Sequence, residues 1–188
     1  MTKKTKIVKN WRHLVEREDG LLYKTRATKT PFTGVFEGRM WSAVKYYRRE
    51  YKNGKLDGFC EEYASNGSLW IRNNFKKGEL HGTCLQFNQD QDYKTLWSIT
   101  NYKNGELHGV FEGFGDDNVL SERIVFKNGK SHGLYQLFYE NGQLEEEGND
   151  KNGKPHGIRR YFDEEGNLTK SETWENGKLV KSLNKRKL

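Results

Sequence analysis

Short apolar runs bounded by glycine-containing polar turns recur along almost the whole chain. One set of turns comprises Lys52-Asn53-Gly54, Lys76-Lys77-Gly78, Lys103-Asn104-Gly105, Lys127-Asn128-Gly129, Lys151-Asn152-Gly153 and Glu175-Asn176-Gly177. A second set alternates with it: Ser65-Asn66-Gly67, Glu140-Asn141-Gly142 and Glu164-Glu165-Gly166, with Asp117-Asn118 standing in once. Asn-Gly between apolar runs is a strong hairpin signal, because the turn needs positive φ. The runs between turns hold about 5–8 residues, the length of an ordinary strand. The pattern therefore predicts an antiparallel meander of about twelve strands.

A period underlies it. Gly34, Gly58, Gly82, Gly109, Gly133 and Gly157 lie 24, 24, 27, 24 and 24 residues apart. Self-similarity at this spacing marks stacked repeats, each one supersecondary unit. Three-residue loops with a bulge at glycine would pair Tyr51 with Lys55 and Tyr63 with Leu69. Alternation then places Tyr51, Phe59, Tyr63, Leu69, Ile71 and Phe75 on one apolar core face. On the same reading Tyr46, Trp70 and Trp97 share a position on the second face. Phe36, Cys60, Cys84, Phe111, Tyr135 and Arg159 share another, and Glu62, Gln86, Gly113, Leu137 and Tyr161 a third.

Composition fits a thin β structure. Hydrophobic residues make up 33% of the chain, 13% is aromatic, and 20 residues are glycine. That is too polar for a thick core and too aromatic for a disordered chain. The net charge of +7 sits at the ends: residues 1–29 carry nine Lys/Arg against three Asp/Glu, and 170–188 carry six against two. The body between them is slightly acidic, which weighs against nucleic-acid binding. No run of 18 apolar residues exists to form a membrane-spanning helix, and the start lacks the apolar core of a signal peptide. A cytoplasmic location is the expectation. Expected boundaries are a basic N-terminal segment (1–28), the repeat array (29–181) and a basic tail (182–188). In the first segment Trp11, Leu14 and Val15 have the spacing of a short helix.

DGLLY at 19–23, TPFTG at 30–34 and the following YKNG-x-x-HG units resemble the type-2 MORN repeat. More narrowly, the chain resembles the bacterial YwqK-type antitoxin family over about residues 19–180. The resemblance implies an all-β, elongated, slightly curved, single-layered meander. It also implies a protein that neutralises a toxin or other effector by binding it, or a scaffold that associates with acidic phospholipid. Two units depart from the pattern. The first has Trp41-Ser42-Ala43 in place of a turn, and the third reads FNQDQDYKTLW with three extra residues.

Candidate chemistry is sparse. His81, His108, His132 and His156 share one repeat position with Asp57. Successive units lie about 10 Å apart, so the histidines form a parallel row rather than the convergent ligand set zinc requires. Asp57 at the same place points to a polar group that hydrogen-bonds the turn. Cys60 and Cys84 are separated by the same step, beyond the reach of a disulfide, and are expected as free thiols. No phosphate loop, dinucleotide fingerprint, zinc-protease or nucleophile motif is present. A non-enzymatic protein without cofactor or metal is the expectation. Gly58, Gly82, Gly109, Gly133 and Gly157 are turn positions.

Partner contact is expected where the repeat leaves residue choice free: Tyr46, Trp70, Trp97, Phe111, Tyr135 and Tyr161. A covering terminal segment is the alternative use of that surface. Anionic-surface association would fall to Lys3, Lys4, Lys6, Lys9 and Arg12 at one end and Lys185, Arg186 and Lys187 at the other. Open sheet edges would allow a homodimer.

Overall fold

A computed structural model describes residues 7–8, 14–25, 27–39, 46–89 and 94–184. The described residues are almost entirely antiparallel strand, with one short 3-10 turn at Asp116–Asn118 and no α-helix. The chain divides into two compact units, residues 1–94 and 95–188.

Both units are meanders built from the two predicted kinds of turn, but the turns differ in length. At Lys52-Asn53-Gly54-Lys55 the flanking lysines pair directly, and Asn53 and Gly54 have φ of 52° and 78°. This is a two-residue turn of type I′. It recurs as Lys103 paired with Glu106, Lys127 with Lys130, Lys151 with Lys154 and Glu175 with Lys178. The second kind is the expected longer loop, with Tyr63 paired to Leu69, Phe138 to Leu144 and Phe162 to Leu168.

The shorter turn corrects the expected faces. Tyr51 pairs with Leu56 rather than Lys55, and that single step sends Leu56, Cys60 and Glu62 to the side of Tyr51. A bulge at Trp70 then pairs Ile71 with Glu62, while Phe75 stands opposite Gly58. The predicted set splits. Tyr51, Ile71 and Phe75 lie on one face, here the front, and Phe59, Tyr63 and Leu69 lie on the back. The front face also holds Phe36, Cys60 and Cys84, which are buried core rather than open surface.

In residues 1–94 the front face is covered. Leu14, Phe32, Phe36 and Tyr47 form the main cluster, with Leu22 and Tyr51 packed against it. Phe32 and Phe36 are only 2% and 1% exposed. The cover is a small hairpin, Val15–Glu16 paired with Leu22–Tyr23, followed by the segment at 31–33. The predicted helix is therefore absent at its described residues: Leu14 enters the core and Val15 begins a strand, while Trp11 lies outside the described residues. The N–H of Leu22 donates to the Gly54 carbonyl, and the N–H of Gly54 donates to the Phe32 carbonyl. A side chain at Gly54 would meet Leu21 and the Leu22 nitrogen at 2.9 Å, so close approach as well as positive φ requires glycine there.

Turns are stitched to the repeat before them. The turn glycine N–H donates to a carbonyl one repeat earlier: Gly78 to Leu56, Gly129 to Leu107, Gly153 to Ser131 and Gly177 to Pro155. The histidine position adds a side-chain link. The N–H of Asn53 donates to Thr33 Oγ1 (2.9 Å), that of Lys77 to Asp57 Oδ2 (3.1 Å) and that of Asn176 to His156 Nδ1 (3.4 Å). Asp57 and His156 thus have the turn-bonding role expected of this position, while His132 Nδ1 meets the Asn152 side-chain oxygen at 3.2 Å.

Candidate binding face

The back face carries a charge ladder. Across neighbouring strands Glu37, Arg48, Glu61 and Arg72 stand in register. Glu61, 5% exposed, accepts from Arg72 at 2.8 Å and from the Tyr63 hydroxyl at 2.9 Å, with Arg48 at 3.6 Å. Residues 95–188 repeat the motif as Arg123–Glu112 and Arg160–Glu147, each at 2.9 Å. Between these pairs lie exposed apolar side chains at one repeat position: Phe59, Val110, Leu134 and Ile158. Sequence reasoning missed the ladder. Its signal was available as opposite charges at fixed offsets in successive units.

The front face of residues 95–188 is different in character. Phe111 and Phe126 meet edge to face at 6.4 Å. The Arg159 guanidinium lies 4.6 Å over the Tyr135 ring and bonds Glu146 and Asp150, each at 2.7 Å. Gly148, buried opposite, makes room for it, since a Cβ there would lie 2.6 Å from Arg159 Cγ. Glu172 accepts from the Tyr161 hydroxyl at 2.8 Å and Trp174 Nε1 at 3.1 Å, and pairs with Lys170 at 3.2 Å.

These contacts shift the acids in opposite directions. Burial pushes the Glu146 carboxyl up, against the pull of Arg159. Burial also works against charge on Glu172, but hydrogen bonds from Tyr161, Lys170 and Trp174 outweigh it and hold that carboxyl below its ordinary value. The Tyr161 hydroxyl is raised by burial and by its bond to Glu172.

Phe111, Tyr135 and Tyr161 share this half-buried face. Trp97, in the same unit, is 54% exposed. Tyr46 and Trp70 belong to the other unit. Tyr46 packs on Tyr63 at 5.5 Å, and burial together with Glu37 raises its hydroxyl to about 12. Trp70 is the bulge residue of its strand, and Ser121, Glu145 and Thr169 occupy the same bulge in the later repeats. The bulge explains the free residue choice at that position, because the bulged residue has no direct partner across the ladder. Gly58, Gly82, Gly109, Gly133 and Gly157 all have positive φ at the bulge that follows the two-residue turn. The lysines and arginines proposed for anionic surfaces at residues 3–12 and 185–187 lie outside the described residues.

Cys60 and Cys84 are free and buried, and burial raises both thiols. Among the described residues no cluster of three or more His, Cys, Asp or Glu is placed to hold a metal ion.

The period, the paired turns and the single stitched sheet of each unit define a β-repeat protein of the hairpin-stacking class. Within it, residues 131–154 and 155–176 each match the MORN repeat variant. Repeats of this kind are generally protein- or membrane-binding modules. No curated relative matches the chain.

Proposed function

We propose that the protein is a non-enzymatic partner-binding module of the cytoplasm, which neutralises a toxin or another effector by direct contact in the manner of the YwqK-type antitoxins it resembles. One contrast carries this reading. The aromatic front face that the N-terminal hairpin covers in residues 1–94 is left half-exposed in residues 95–188. Half-exposed aromatics in the unit that also carries Trp97, 54% exposed, suit a protein contact, where such side chains dominate binding energy.

The test is titration against the product of the neighbouring gene, combined with rescue of growth when the two are co-expressed. Trp97→Ala is expected to weaken binding by more than tenfold, since a tryptophan anchor contributes about 2 kcal/mol or more. The loss of stability should stay at about 1 kcal/mol, less than the loss in binding, because the indole is 54% exposed. Absence of binding, or affinity indifferent to Trp97 and to the front face, would sink the reading.

A second reading is peripheral association with an anionic surface, and one observation favours it. In residues 95–188 the two-residue turns carry exposed Lys103, Lys127, Lys130, Lys151, Lys154 and Lys178 along one edge. The opposite turns carry Asp116, Asp117, Glu140, Asp163, Glu164 and Glu165. Binding to vesicles that needs acidic lipid and disappears when Lys127, Lys130, Lys151 and Lys154 are changed to Gln would establish this alternative.

A further inference from the structure

The first unit shows what its front face accepts. Phe36, Tyr47 and Tyr51 receive Leu14, Leu22 and Phe32 from an extended, hairpin-forming segment. The hairpin is anchored by a backbone bond to the turn residue Gly54.

Counting along the repeat, the second unit places Phe111, Glu122 and Phe126 where the first has Phe36, Tyr47 and Tyr51. Ile124 stands directly across from Phe111 and completes a small apolar platform. Gly129 occupies the turn position of Gly54. Two of the three aromatic positions are thus kept, and the middle one has become a carboxylate.

That carboxylate is the informative group. Neighbouring acids on this face are answered from within the sheet, Glu146 and Asp150 by Arg159 and Glu172 by Lys170. Glu122 has no ion-pair partner among the described residues. It is half-buried, and its side chain lies over buried Gly113, where a Cβ would come within 2.9 Å of Glu122 Cγ. An unanswered carboxylate beside aromatic surface favours a cation, and the apolar platform favours a leucine or phenylalanine next to it.

We propose that this face holds an extended segment of a partner protein. The segment sets an apolar side chain on Phe111, Ile124 and Phe126 and a lysine or arginine on Glu122. The inference rests on the partner-binding reading and adds to it the chemistry and conformation of what is bound. Like the hairpin on the first unit, such a segment would hold to the face through its side chains, with main-chain contact limited to the turn.

The experiment selects random short peptides displayed on phage against the full chain. The enriched peptides should combine Leu or Phe with a nearby Lys or Arg. Made synthetically, they should lose about tenfold or more in affinity on Glu122→Gln and on Phe111→Ser, the size of a lost charge-assisted contact. They should be indifferent to Val110→Ser, the adjacent residue on the back face. Selection on Glu122→Lys should instead return acidic peptides, a reversal that a merely structural Glu122 would not produce. Matched melts of Glu122→Gln and the parent exclude misfolding as the cause of a loss. No enrichment, peptides without a cation, or binding that survives both front-face changes would overturn the proposal. A protein partner that binds the parent and Glu122→Lys equally would overturn it while leaving the broader partner-binding reading intact.

Discussion

Phe36 and Phe111 occupy the same repeat position on the same face, and only Phe36 lies beneath the N-terminal hairpin. Replacing each with Ala therefore isolates the worth of the cover. Phe36 is 1% exposed and enclosed by Leu14, Phe32 and Tyr47. Its removal leaves a closed cavity, with an expected loss of about 3–5 kcal/mol. Phe111 is half-buried and open to solvent on one side. Only part of its transfer energy is at stake and no cavity closes over it, so the loss should be about 1–1.5 kcal/mol. Urea unfolding followed by circular dichroism reads the difference, with hydrogen exchange assigning each loss to residues 1–94 or 95–188. For a unit of this size a slope near 1.5 kcal/mol/M converts the losses to midpoint shifts of roughly 2–3 M and about 1 M or less. Equal shifts, or a larger one for Phe111→Ala, would refute the argument that the hairpin seals one face and leaves its counterpart open.

Two further outcomes follow from the buried ionisable groups. Glu172 is held below its ordinary value of 4.5 in the folded protein. Its contribution to stability is therefore complete above pH 4.5 and lost as pH falls through the depressed value. Glu172→Gln should be less stable than the parent at neutral pH, and the two acid-unfolding curves should converge only below pH 4.5. A gap unchanged at low pH would contradict this. Burial raises the thiols of Cys60 and Cys84, so a disulfide reagent at neutral pH should modify neither in the folded protein and both in urea. Rapid modification of native protein would place these side chains at the surface.

The repeat period, the turns and the all-antiparallel architecture were legible because glycine spacing and Asn-Gly chemistry act locally. Face assignment was not. Both kinds of turn use Asn-Gly, yet one closes with two residues and the other with three, and this difference reverses the parity of the following strand. In most sheets hydrophobicity would settle the choice. Here aromatic or aliphatic residues lie on both faces, with Phe59 and Tyr63 on the back and Tyr51 and Phe75 on the front, so each register yields a plausible apolar set. The bulge at Trp70 compounds the ambiguity by shifting Ile71 and Phe75 once more.

Candidate-site residues fared unevenly for the same reason. Phe111, Tyr135 and Tyr161 were placed together because they fall at one repeat position or two residues from it, so any choice of turn length moves all three to the same face. Phe36 and Cys60 were grouped with them correctly by position, but their burial depends on a covering hairpin whose docking is a tertiary event. The spacing of Leu14 and Val15 suited a helix. Asp19 and Gly20 instead close a tight hairpin, with Asp19 accepting from the Leu21 N–H at 3.0 Å and the Tyr23 hydroxyl at 2.7 Å. Local turn chemistry outweighed an apolar period supported by few residues.

The two rows of turns also differ in how much change they can absorb. Along the Lys-Asn-Gly row the turns at Gly54, Gly78, Gly129, Gly153 and Gly177 are tied to the repeat before them by their own backbone, through the glycine N–H. An inserted residue there would break the link in its own repeat and misplace the carbonyl offered to the next. Along the opposite row the turns are joined by side chains, as where Tyr139 donates its hydroxyl to the Phe162 carbonyl and Asn141 its amide to Glu164. The three extra residues of the 27-residue unit fall on this second row, between Phe87 and Leu96. Natural length variation and engineered loop grafts should therefore accumulate on one margin of the sheet, while the other keeps the count of residues from repeat to repeat.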